Sequence, residues 1–254
     1  MEKREFDVNY WEDVWKSARI PQAKKANEIH EIHRILTKIL PSHKLNLIEI
    51  GCAPGSWLAY FHNCFDYSVS GIEYAPRAYH KTIENLKIQD IPGEIFQGDF
   101  FEFKHQPYDI VFSAGFIEHF QDVVPVIQKI VKLCTSEAGF VVTIIPSMQG
   151  INRWISKTFR PHVAAGHYPI RKSELINYHE QCGLKTQYCS YVGSLRVLPP
   201  IEKNRFCENH PSASAILNLP FRAWNRTVNI FTKRVGFYPK LSFMTTSIIY
   251  IGQK

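Results

Sequence analysis

The clearest hydrophobic pattern in this chain is a pair of short apolar runs separated by a helical segment. The first run, Leu47–Ile50, leads into a turn of small residues at 51–55, and a helix is predicted from Ser56 onward. The second run, 67–72, also has the length of a buried strand. Farther along, apolar positions at helical spacing predict a helix over 123–133. A strand, a tight turn and a helix in this order are typical of an open α/β sheet.

The turn between the first strand and its helix has the composition of a ligand-binding loop. Its small residues matter because ligands of open α/β sheets lie at the carboxyl ends of the strands, almost against the main chain. Glu73 closes the second strand, 22 positions after Gly51, the distance at which a carboxylate meets the ribose hydroxyls of an adenosine cofactor. The turn alone is a weak indication, since any strand–turn–helix corner needs small residues. Together with Glu73 it predicts an adenosine-containing cofactor.

The turn departs from the fingerprint of dinucleotide-binding proteins, because Ala53 replaces the middle glycine and Ser56 the last one. With the preceding acid and Glu73, it instead resembles the class I methyltransferases that use S-adenosylmethionine. The resemblance implies that Glu49 orients the methionyl part of the donor, that the loop of Gly51, Ala53 and Gly55 passes beneath it, and that Glu73 binds the ribose.

The rest of the chain follows the order of elements that this family has. The resemblance implies an α/β fold with a Rossmann-like seven-stranded sheet, an antiparallel last strand and helices on both faces. Its third to seventh strands match 94–97, the run from 108, 139–146, 183–189 and 242–251, and a helix precedes the sixth strand at about 173–182. Asp99 would accept a hydrogen bond from the adenine amino group. The other residues expected at the cofactor are Tyr74, Phe100, Ser113 and Ala114.

Length and composition agree with one decorated enzyme domain over 1–254. A chain of 254 residues, 45% of them hydrophobic, can bury one large core. The N-terminus has no apolar signal core and no run is long enough to span a bilayer, so a cytoplasmic location is expected. Six cysteines include no Cys-x-x-Cys pair, which predicts neither a metal site nor a disulfide framework.

An N-terminal helical cap is expected over about 1–40, with a helical stretch from 21 to 40. Tyr10, Trp11 and Trp15 have helical spacing, so they either pack against the domain or close over the donor. Several small-molecule methyltransferases close their site with a similar aromatic element, and aromatic faces suit a sulfonium cation. Tyr10 and Trp11 are therefore candidate substrate-binding residues.

A second addition, a basic helical insertion, is expected over about 196–240. Residues 1–150 carry 15 Lys/Arg and 19 Asp/Glu, a net charge of −4, whereas residues 151–254 carry 15 and 4, a net charge of +11. This asymmetry indicates an anionic partner. Arg205, Arg222 and Arg226 are the residues expected to recruit an anionic acceptor.

Within this insertion, a helix is predicted from Pro220 to Gly236. Its apolar residues form a stripe, and its polar residues occupy the remaining surface. The stripe comprises Phe221, Trp224, Val228, Phe231 and Val235, and the polar set comprises Arg222, Asn225, Arg226, Asn229 and Lys233. The helix either packs on its own domain or covers the acceptor pocket, and peripheral contact with a membrane surface is a further expectation.

The expected function is methyl transfer to a small metabolite or to a sugar or lipid intermediate, with oxygen favoured over nitrogen. Ribose 2′-O-methyltransferases of RNA share the loop but need an Asp after the fourth strand and a Lys closing the fifth. The chain has 113–115 as Ser-Ala-Gly and 143–145 as Thr-Ile-Ile, so an RNA acceptor ranks second and nucleic acid is not the expected partner. A non-catalytic S-adenosylmethionine-binding protein is the remaining alternative.

Two histidines are candidates for the general base that a hydroxyl acceptor would need. His119 follows the fourth strand, which faces the donor, and His167 follows the fifth. Histidine suits this role because its ordinary pKa lies close to neutral. Each of them has a structural role as its alternative, and the neighbouring Glu118 is a candidate for binding a cationic acceptor.

Overall fold

The computed structural model describes residues 6–16, 18–135, 138–199 and 211–254. The helices are α1 Val8–Lys16, α2 His30–Ile39, α3 Ser56–Phe65, α4 Pro76–Ile88, α5 Val124–Lys132, α6 Gly150–Phe159, α7 Pro161–Ala165, α8 Lys172–Gln181 and α9 Pro211–Val235, with a 3-10 turn at Ile117–His119. The strands are β1 Asn46–Ile50, β2 Ser68–Glu73, β3 Gly93–Gln97, β4 Ile110–Ala114, β5 Phe140–Pro146, β6 Lys185–Val192 and β7 Ser247–Gln253.

The strands form one seven-stranded sheet in the order β3-β2-β1-β4-β5-β7-β6. Neighbours among β1 to β5 pair in parallel, and β7 runs antiparallel to both β5 and β6. The expected Rossmann-like sheet with an antiparallel last strand is therefore confirmed. The strand order reverses between β1 and β4, and in such sheets a ligand crevice opens at this point, beyond the carboxyl ends of the strands.

The hydrophobic core consists of two clusters of buried residues. Helices from different parts of the chain contribute to each cluster. One cluster includes Val126 and Ile130 of α5 and Leu175 of α8, and the other includes Leu36 of α2 and Leu58 of α3. Inward-facing positions of β1 divide between the clusters, since Ile48 and Ile50 belong to the first and Leu47 to the second. Strands buried on both faces explain why the sequence shows continuous apolar runs instead of alternation.

The predicted strand at 242–251 was too long at its start, because β7 begins only at Ser247. The backbone of Phe243 serves α6 instead, since its carbonyl accepts a hydrogen bond from the Ile151 N–H at 2.9 Å. A side chain at Gly150 would collide with that same backbone, so glycine permits the close approach. The Phe243 carbonyl therefore bonds to the start of α6 and is not used in the sheet, as it would be if β7 began earlier.

The helical stretch predicted from 21 to 40 is also shorter, because α2 spans only His30–Ile39. The segment before it is held in an irregular path by the domain: Asn85 accepts from the Gln22 N–H and donates to the Gln22 carbonyl. The Lys24 N–H donates to the Ser56 carbonyl at 3.0 Å. These tertiary hydrogen bonds replace the helical ones, and the sequence pattern does not reveal them.

The basic helix begins earlier than predicted, since α9 starts at Pro211 and contains Pro220 in its interior. Proline leaves the carbonyl four residues earlier without its helical donor. Both Pro220 and Ile216 are exposed, so water can hydrate that carbonyl. Among the described helices, none is both long and apolar enough to cross a membrane.

The apolar stripe predicted for α9 is not the face that packs against the domain. Val228 is buried, but Trp224, Phe231 and Val235 are 48%, 57% and 57% exposed. Asn225 and Asn229, expected on the free surface, instead pack toward the domain and hydrogen-bond to it. The hydrogen-bonding groups offered by the neighbouring backbone decide which face is docked.

Candidate functional site

A pocket lies at the carboxyl ends of β1, β2 and β4, where the strand order reverses. Its cavity volume is about 210 Å³. Its sheet side is lined by Gly51, Ala53, Ile72, Glu73, Tyr74, Gly98, Phe100, Ala114 and Gly115. Its opposite, mostly aromatic side is lined by Phe6, Trp11, Trp15, Phe116, His119 and Phe120.

The turn after β1 forms the floor of this pocket. Gly51 has a φ of +70°, a conformation that residues with a Cβ rarely adopt, and its N–H donates to the Ile72 carbonyl at 3.0 Å. Gly71 on β2 allows Cys52 to pack beside it, since a Cβ there would lie 2.5 Å from the Cys52 sulfur. Burial raises the pKa of the Cys52 thiol well above its usual value, so this cysteine stays protonated and fills space.

Glu73 is held at the end of β2 by three backbone donors. Its Oε2 accepts from the Ala53 N–H at 3.2 Å, and its Oε1 accepts from the N–H groups of Tyr74 at 2.8 Å and Ala75 at 3.2 Å. Burial raises the pKa of this carboxyl, while the three N–H groups act in the opposite direction. A carboxylate with two oxygens can accept further hydrogen bonds, so Glu73 can serve a ligand diol.

Glu49 lies on β1, behind the turn, and is 3% exposed. Its Oε2 has no hydrogen-bond partner among the described residues. Burial and the nearby charge of Glu73 raise the pKa of Glu49 well above its usual value, whereas Lys24 lowers it. An unpartnered buried carboxyl oxygen is unfavourable and is a natural acceptor for a ligand donor or a water molecule.

The other predicted cofactor residues occupy the two walls beside this floor. Tyr74 and Phe100 line the pocket on the β2 and β3 side, and Ala114 lines it at the end of β4. Asp99 lies between the lining residues Gly98 and Phe100, and its Oδ1 accepts from the Phe101 N–H at 2.8 Å. Ser113 is 2% exposed and does not line the pocket, so its part is to support the strand.

His119 lines the pocket and its orientation is fixed by the main chain. Its Nδ1–H donates to the Gly166 carbonyl at 2.7 Å, which leaves the lone pair on Nε2. Burial, followed by the proximity of His167, lowers the pKa of His119 to about 4, so the ring is neutral near pH 7. The structure thus brings one predicted base to the pocket in its proton-accepting form.

His167 lies behind His119 and does not line the pocket. The two ring centroids are 4.6 Å apart, and the His167 Nδ1–H donates to the Val163 carbonyl at 2.6 Å. Glu118 faces the other side of His119, with its Oε1 3.9 Å from Nε2. Burial raises the pKa of Glu118 to about 8 against the opposing effect of backbone N–H groups, so this carboxyl is mostly neutral at pH 7.

The ligand atoms of Glu118, His119 and His167 lie within 4.8 Å of one another, which makes them the set that could hold a metal among the described residues. A tetrahedral ion with ligands at about 2.0 Å would require these atoms to lie about 3.3 Å apart. The observed 3.9 Å between Glu118 and His119 is wider.

The N-terminal aromatic residues form the roof of the pocket. Trp11 and Trp15 of α1 line it together with Phe6. Phe6 stacks on Tyr10, with ring centroids 3.7 Å apart, and its edge meets His119 at 5.5 Å. Trp11 also contacts His119, at 5.2 Å. Tyr10 is not itself a lining residue, so it supports Phe6 from behind.

Four lining aromatic residues, Phe6, Trp15, Phe116 and Phe120, were not among the predicted site residues. The spacing of Trp15 four residues after Trp11 was the available indication, since it places both rings on one face of α1. Phe6 precedes the helix and packs against Gly166, where any Cβ would collide with its ring. This contact joins residues 160 positions apart, so no local pattern indicates it.

Two of the three predicted acceptor arginines are not brought to the pocket. Arg222 and Arg226 are exposed on α9, and neither lines the cavity. Arg205 lies outside the described residues. The acceptor side of the pocket is aromatic because α1 covers it, whereas α9 docks elsewhere, against the segment 195–198.

Comparisons with known proteins agree with this geometry. A family model described as "Methyltransferase domain" matches residues 21–187. Among curated protein sequences, no significant match is found.

Solved structures with the same fold include three enzymes at low sequence identity. The cyclopropane synthase MmaA2 from Mycobacterium tuberculosis has a TM-score of 0.58 at 15% identity, over 89% of this chain and 84% of that one. Phosphoethanolamine N-methyltransferase 2 from Haemonchus contortus, in complex with S-adenosylmethionine, has a TM-score of 0.61 at 14% sequence identity, and the match covers 97% of this chain and 56% of that one. Coclaurine N-methyltransferase, bound to N-methylheliamine and SAH, has a TM-score of 0.60 at 11% sequence identity, and the match covers 89% of this chain and 72% of that one.

Proposed function

Because the chain belongs to the methyltransferase-domain family of class I S-adenosylmethionine-dependent enzymes, we propose that it methylates a hydroxyl group of a small metabolite or of a sugar or lipid intermediate. S-adenosylmethionine, when bound, supplies an activated methyl group. Three features of the pocket floor fit this cofactor: the glycine cradle at Gly51, the fixed carboxylate of Glu73 and the unpartnered oxygen of Glu49. Glu73 would hold the ribose, and Glu49 would orient the methionyl part.

The observation that carries the choice of oxygen is the state of His119. His119 lines the pocket, and its Nε2 bears a lone pair because Nδ1 donates to the Gly166 carbonyl. A neutral imidazole in that position accepts the proton of a hydroxyl as the oxygen becomes nucleophilic. Glu118 is mostly uncharged at pH 7 and would attract an ammonium acceptor only weakly, which also supports oxygen over nitrogen.

Glu118 has a second part in this proposal, as a positioning residue that acts through His119. Its carboxyl faces the nitrogen that receives the proton, and its ionised form stabilises the imidazolium that results. Because burial raises the pKa of Glu118 to about 8, the ionised form becomes more abundant as the pH increases through that value. The turnover rate should therefore increase between pH 7 and pH 9.

The acceptor itself is proposed from the wall it would touch. Phe6, Trp11 and Trp15 offer broad apolar faces, which suit the ring face of a sugar or the apolar part of a lipid intermediate. The basic residues that suggested an anionic acceptor lie elsewhere, on α9. An acidic group on the acceptor would thus extend outside the pocket.

Formation of S-adenosylhomocysteine tests the proposal, with panels of hydroxylated sugars, nucleotide sugars, hydroxylated lipids, amines and total RNA as acceptors. His119→Ala should reduce turnover of the accepted hydroxyl compound by about 10²–10⁴-fold and leave donor affinity unchanged. His80→Ala, at an exposed histidine of α4, is the matched control. Turnover only of amines or of RNA would contradict the proposal, and so would an active His119→Ala enzyme.

A further inference from the structure

The helix α9 is attached to the domain by polar side chains. Asn225 accepts from the Val197 N–H at 2.9 Å and donates to the Val197 carbonyl at 2.7 Å. Asn229 hydrogen-bonds with His30 at 3.1 Å and with the side chain of Arg196. A surface helix ordinarily buries its apolar residues and exposes its polar ones. This helix does the opposite along most of its docked face.

An apolar stripe runs along the exposed side of α9 from Leu217 to Val235. Leu217, Trp224, Phe231 and Val235 recur at intervals of seven, seven and four residues, so they form one stripe. All four are about half exposed or more. Ile216, Leu219 and Ile230 extend the same exposed surface beyond this stripe.

The helix α6, which also contacts the segment 195–198, exposes further large apolar side chains. Asn152 of α6 donates to the Arg196 carbonyl at 3.1 Å and accepts from the Leu198 N–H at 2.8 Å, so α6 and α9 flank the same backbone. Trp154 and Phe159 of α6 are 62% and 50% exposed, and Phe243, which contacts the start of α6, is 55% exposed.

The exposed large hydrophobic side chains are distributed very unevenly over the molecule. Among the described residues, 12 of the 16 large hydrophobic side chains that are exposed lie within 151–159 and 216–243. We call this set the outer apolar surface. Its members are Ile151, Trp154, Phe159, Ile216, Leu217, Leu219, Trp224, Ile230, Phe231, Val235, Phe237 and Phe243. A concentration of exposed apolar side chains on neighbouring elements is typical of an interaction site.

The charges that accompany this surface are all of one sign. Arg222, Arg226 and Lys233 recur at intervals of four and seven along one edge of the exposed face of α9, and Lys157 lies on α6. The sequence contains no acidic residue within α6 or after Glu208. An apolar face bordered by basic residues matches a layer whose surface is anionic and whose interior is apolar.

We propose that the outer apolar surface of α6 and α9 docks onto the surface of an anionic lipid bilayer. The aromatic side chains enter the region of the headgroups and the upper acyl chains, and the arginine edge contacts acidic headgroups. A second copy of the chain fits this surface poorly, because α6 and the chain after Glu208 offer no acidic residue to the basic edge. The proposal does not depend on the acceptor, since neither helix lines the pocket.

Sedimentation of the full chain with vesicles tests this docking. Vesicles of phosphatidylcholine alone are compared with vesicles containing about 30% phosphatidylglycerol, at low and high salt. We expect at least about tenfold tighter binding to the anionic vesicles, and weaker binding as salt increases. Equal binding to both kinds of vesicle, or none, would overturn the proposal.

Two pairs of substitutions on the surface separate its apolar and charged contributions. Trp224→Ser with Phe231→Ser, and Arg222→Glu with Arg226→Glu, should each weaken binding to anionic vesicles by at least about tenfold.

Matched controls carry the same chemical changes on other parts of the molecule. Ile83→Ser with Ile88→Ser removes two exposed apolar side chains from α4, and Lys87→Glu with Lys132→Glu makes the same change in net charge. Both controls should bind vesicles as the unchanged protein does.

Thermal stabilisation by S-adenosylhomocysteine, together with circular dichroism, verifies that each variant is folded. If the control variants lose as much vesicle binding as the surface variants, binding depends only on the overall charge and hydrophobicity of the protein. That result would reject the docking surface. The protein could instead form a dimer in the absence of vesicles, and Trp224→Ser with Phe231→Ser could abolish that dimer. This result would show that a second copy occupies the surface, and it would also reject docking onto a bilayer.

Discussion

At the scale of single residues, Glu118 combines an unfavourable position with a proposed function. Its side chain is 1% exposed, and neither of its oxygens has a hydrogen-bond partner of good geometry among the described residues. Burial raises its pKa from 4.5 to about 8. Between these values the unfolded chain releases the proton while the folded protein keeps it, so stability decreases as the pH increases from about 4.5 to 8.

We therefore expect Glu118→Gln to stabilise the protein and to impair it as an enzyme. The free energy of unfolding should be about 3–5 kcal/mol higher in the variant at pH 8, and close to that of the unchanged protein at pH 4.5. The increase in turnover between pH 7 and 9 should disappear. Denaturant unfolding at both pH values and a pH–rate profile measure these effects; a variant less stable at pH 8 would contradict the interpretation.

At the scale of secondary-structure elements, the position of α1 over the pocket depends on polar contacts with α4. Glu12 accepts from the Arg77 N–H at 2.7 Å and from its Nε at 3.2 Å. Lys81 of α4 donates to the Lys16 and Ala18 carbonyls. These contacts hold the roof formed by Trp11 and Trp15. Because both partners of the ion pair are partly exposed, its net strength is small.

Removing the contact between Glu12 and Arg77 should change acceptor binding more than the stability of the fold. Glu12→Ala should increase the KM for the acceptor by about two- to fivefold, since an exposed ion pair contributes little more than that. The melting temperature should remain nearly unchanged. Asp13→Ala, at the next and exposed position of α1, is the matched control. An unchanged KM would show that α1 stays over the pocket without Glu12.

At the scale of the whole molecule, the pocket joins parts of the chain that are distant in sequence. Phe6, Gly51, Glu73 and His119 all line it, so a ligand that fills it connects the N-terminal segment to the sheet. A ligand that binds only the folded protein stabilises it by mass action. Donor binding should therefore appear as an increase in the melting temperature of the complete domain.

S-adenosylhomocysteine at 100 times its Kd should stabilise the protein by about 2.7 kcal/mol, or roughly 5–10 °C for a chain of this size. Glu73→Ala, which removes a charged acceptor of the ribose, should reduce affinity by about 1.5–3 kcal/mol. At the same ligand concentration the shift should then fall to a few degrees. Glu84→Ala, at an exposed position of α4, should keep the full shift. A full shift in folded Glu73→Ala would contradict the placement of the ribose.

The residues near β1 and β2 were predictable because their arrangement is local. Strand, turn and helix follow one another within 47–65, and Glu73 ends the adjacent strand, so order along the chain already places them at one sheet edge. The parallel sheet with its antiparallel last strand followed from the family resemblance that these motifs carry. The local order of strand, turn and helix thus indicated the floor of the pocket, and the family resemblance indicated the sheet.

Tertiary structure alone decided the roles of the residues outside that floor. His119 lines the pocket and His167 does not, and the carbonyl of Gly166, 47 positions away, fixes the orientation of the His119 ring. Asn225 and the backbone of Val197 decided which face of α9 is docked, against the hydrophobic pattern of that helix. A periodic sequence shows which side chains share a face, but only the hydrogen-bonding groups of distant segments determine which face is buried.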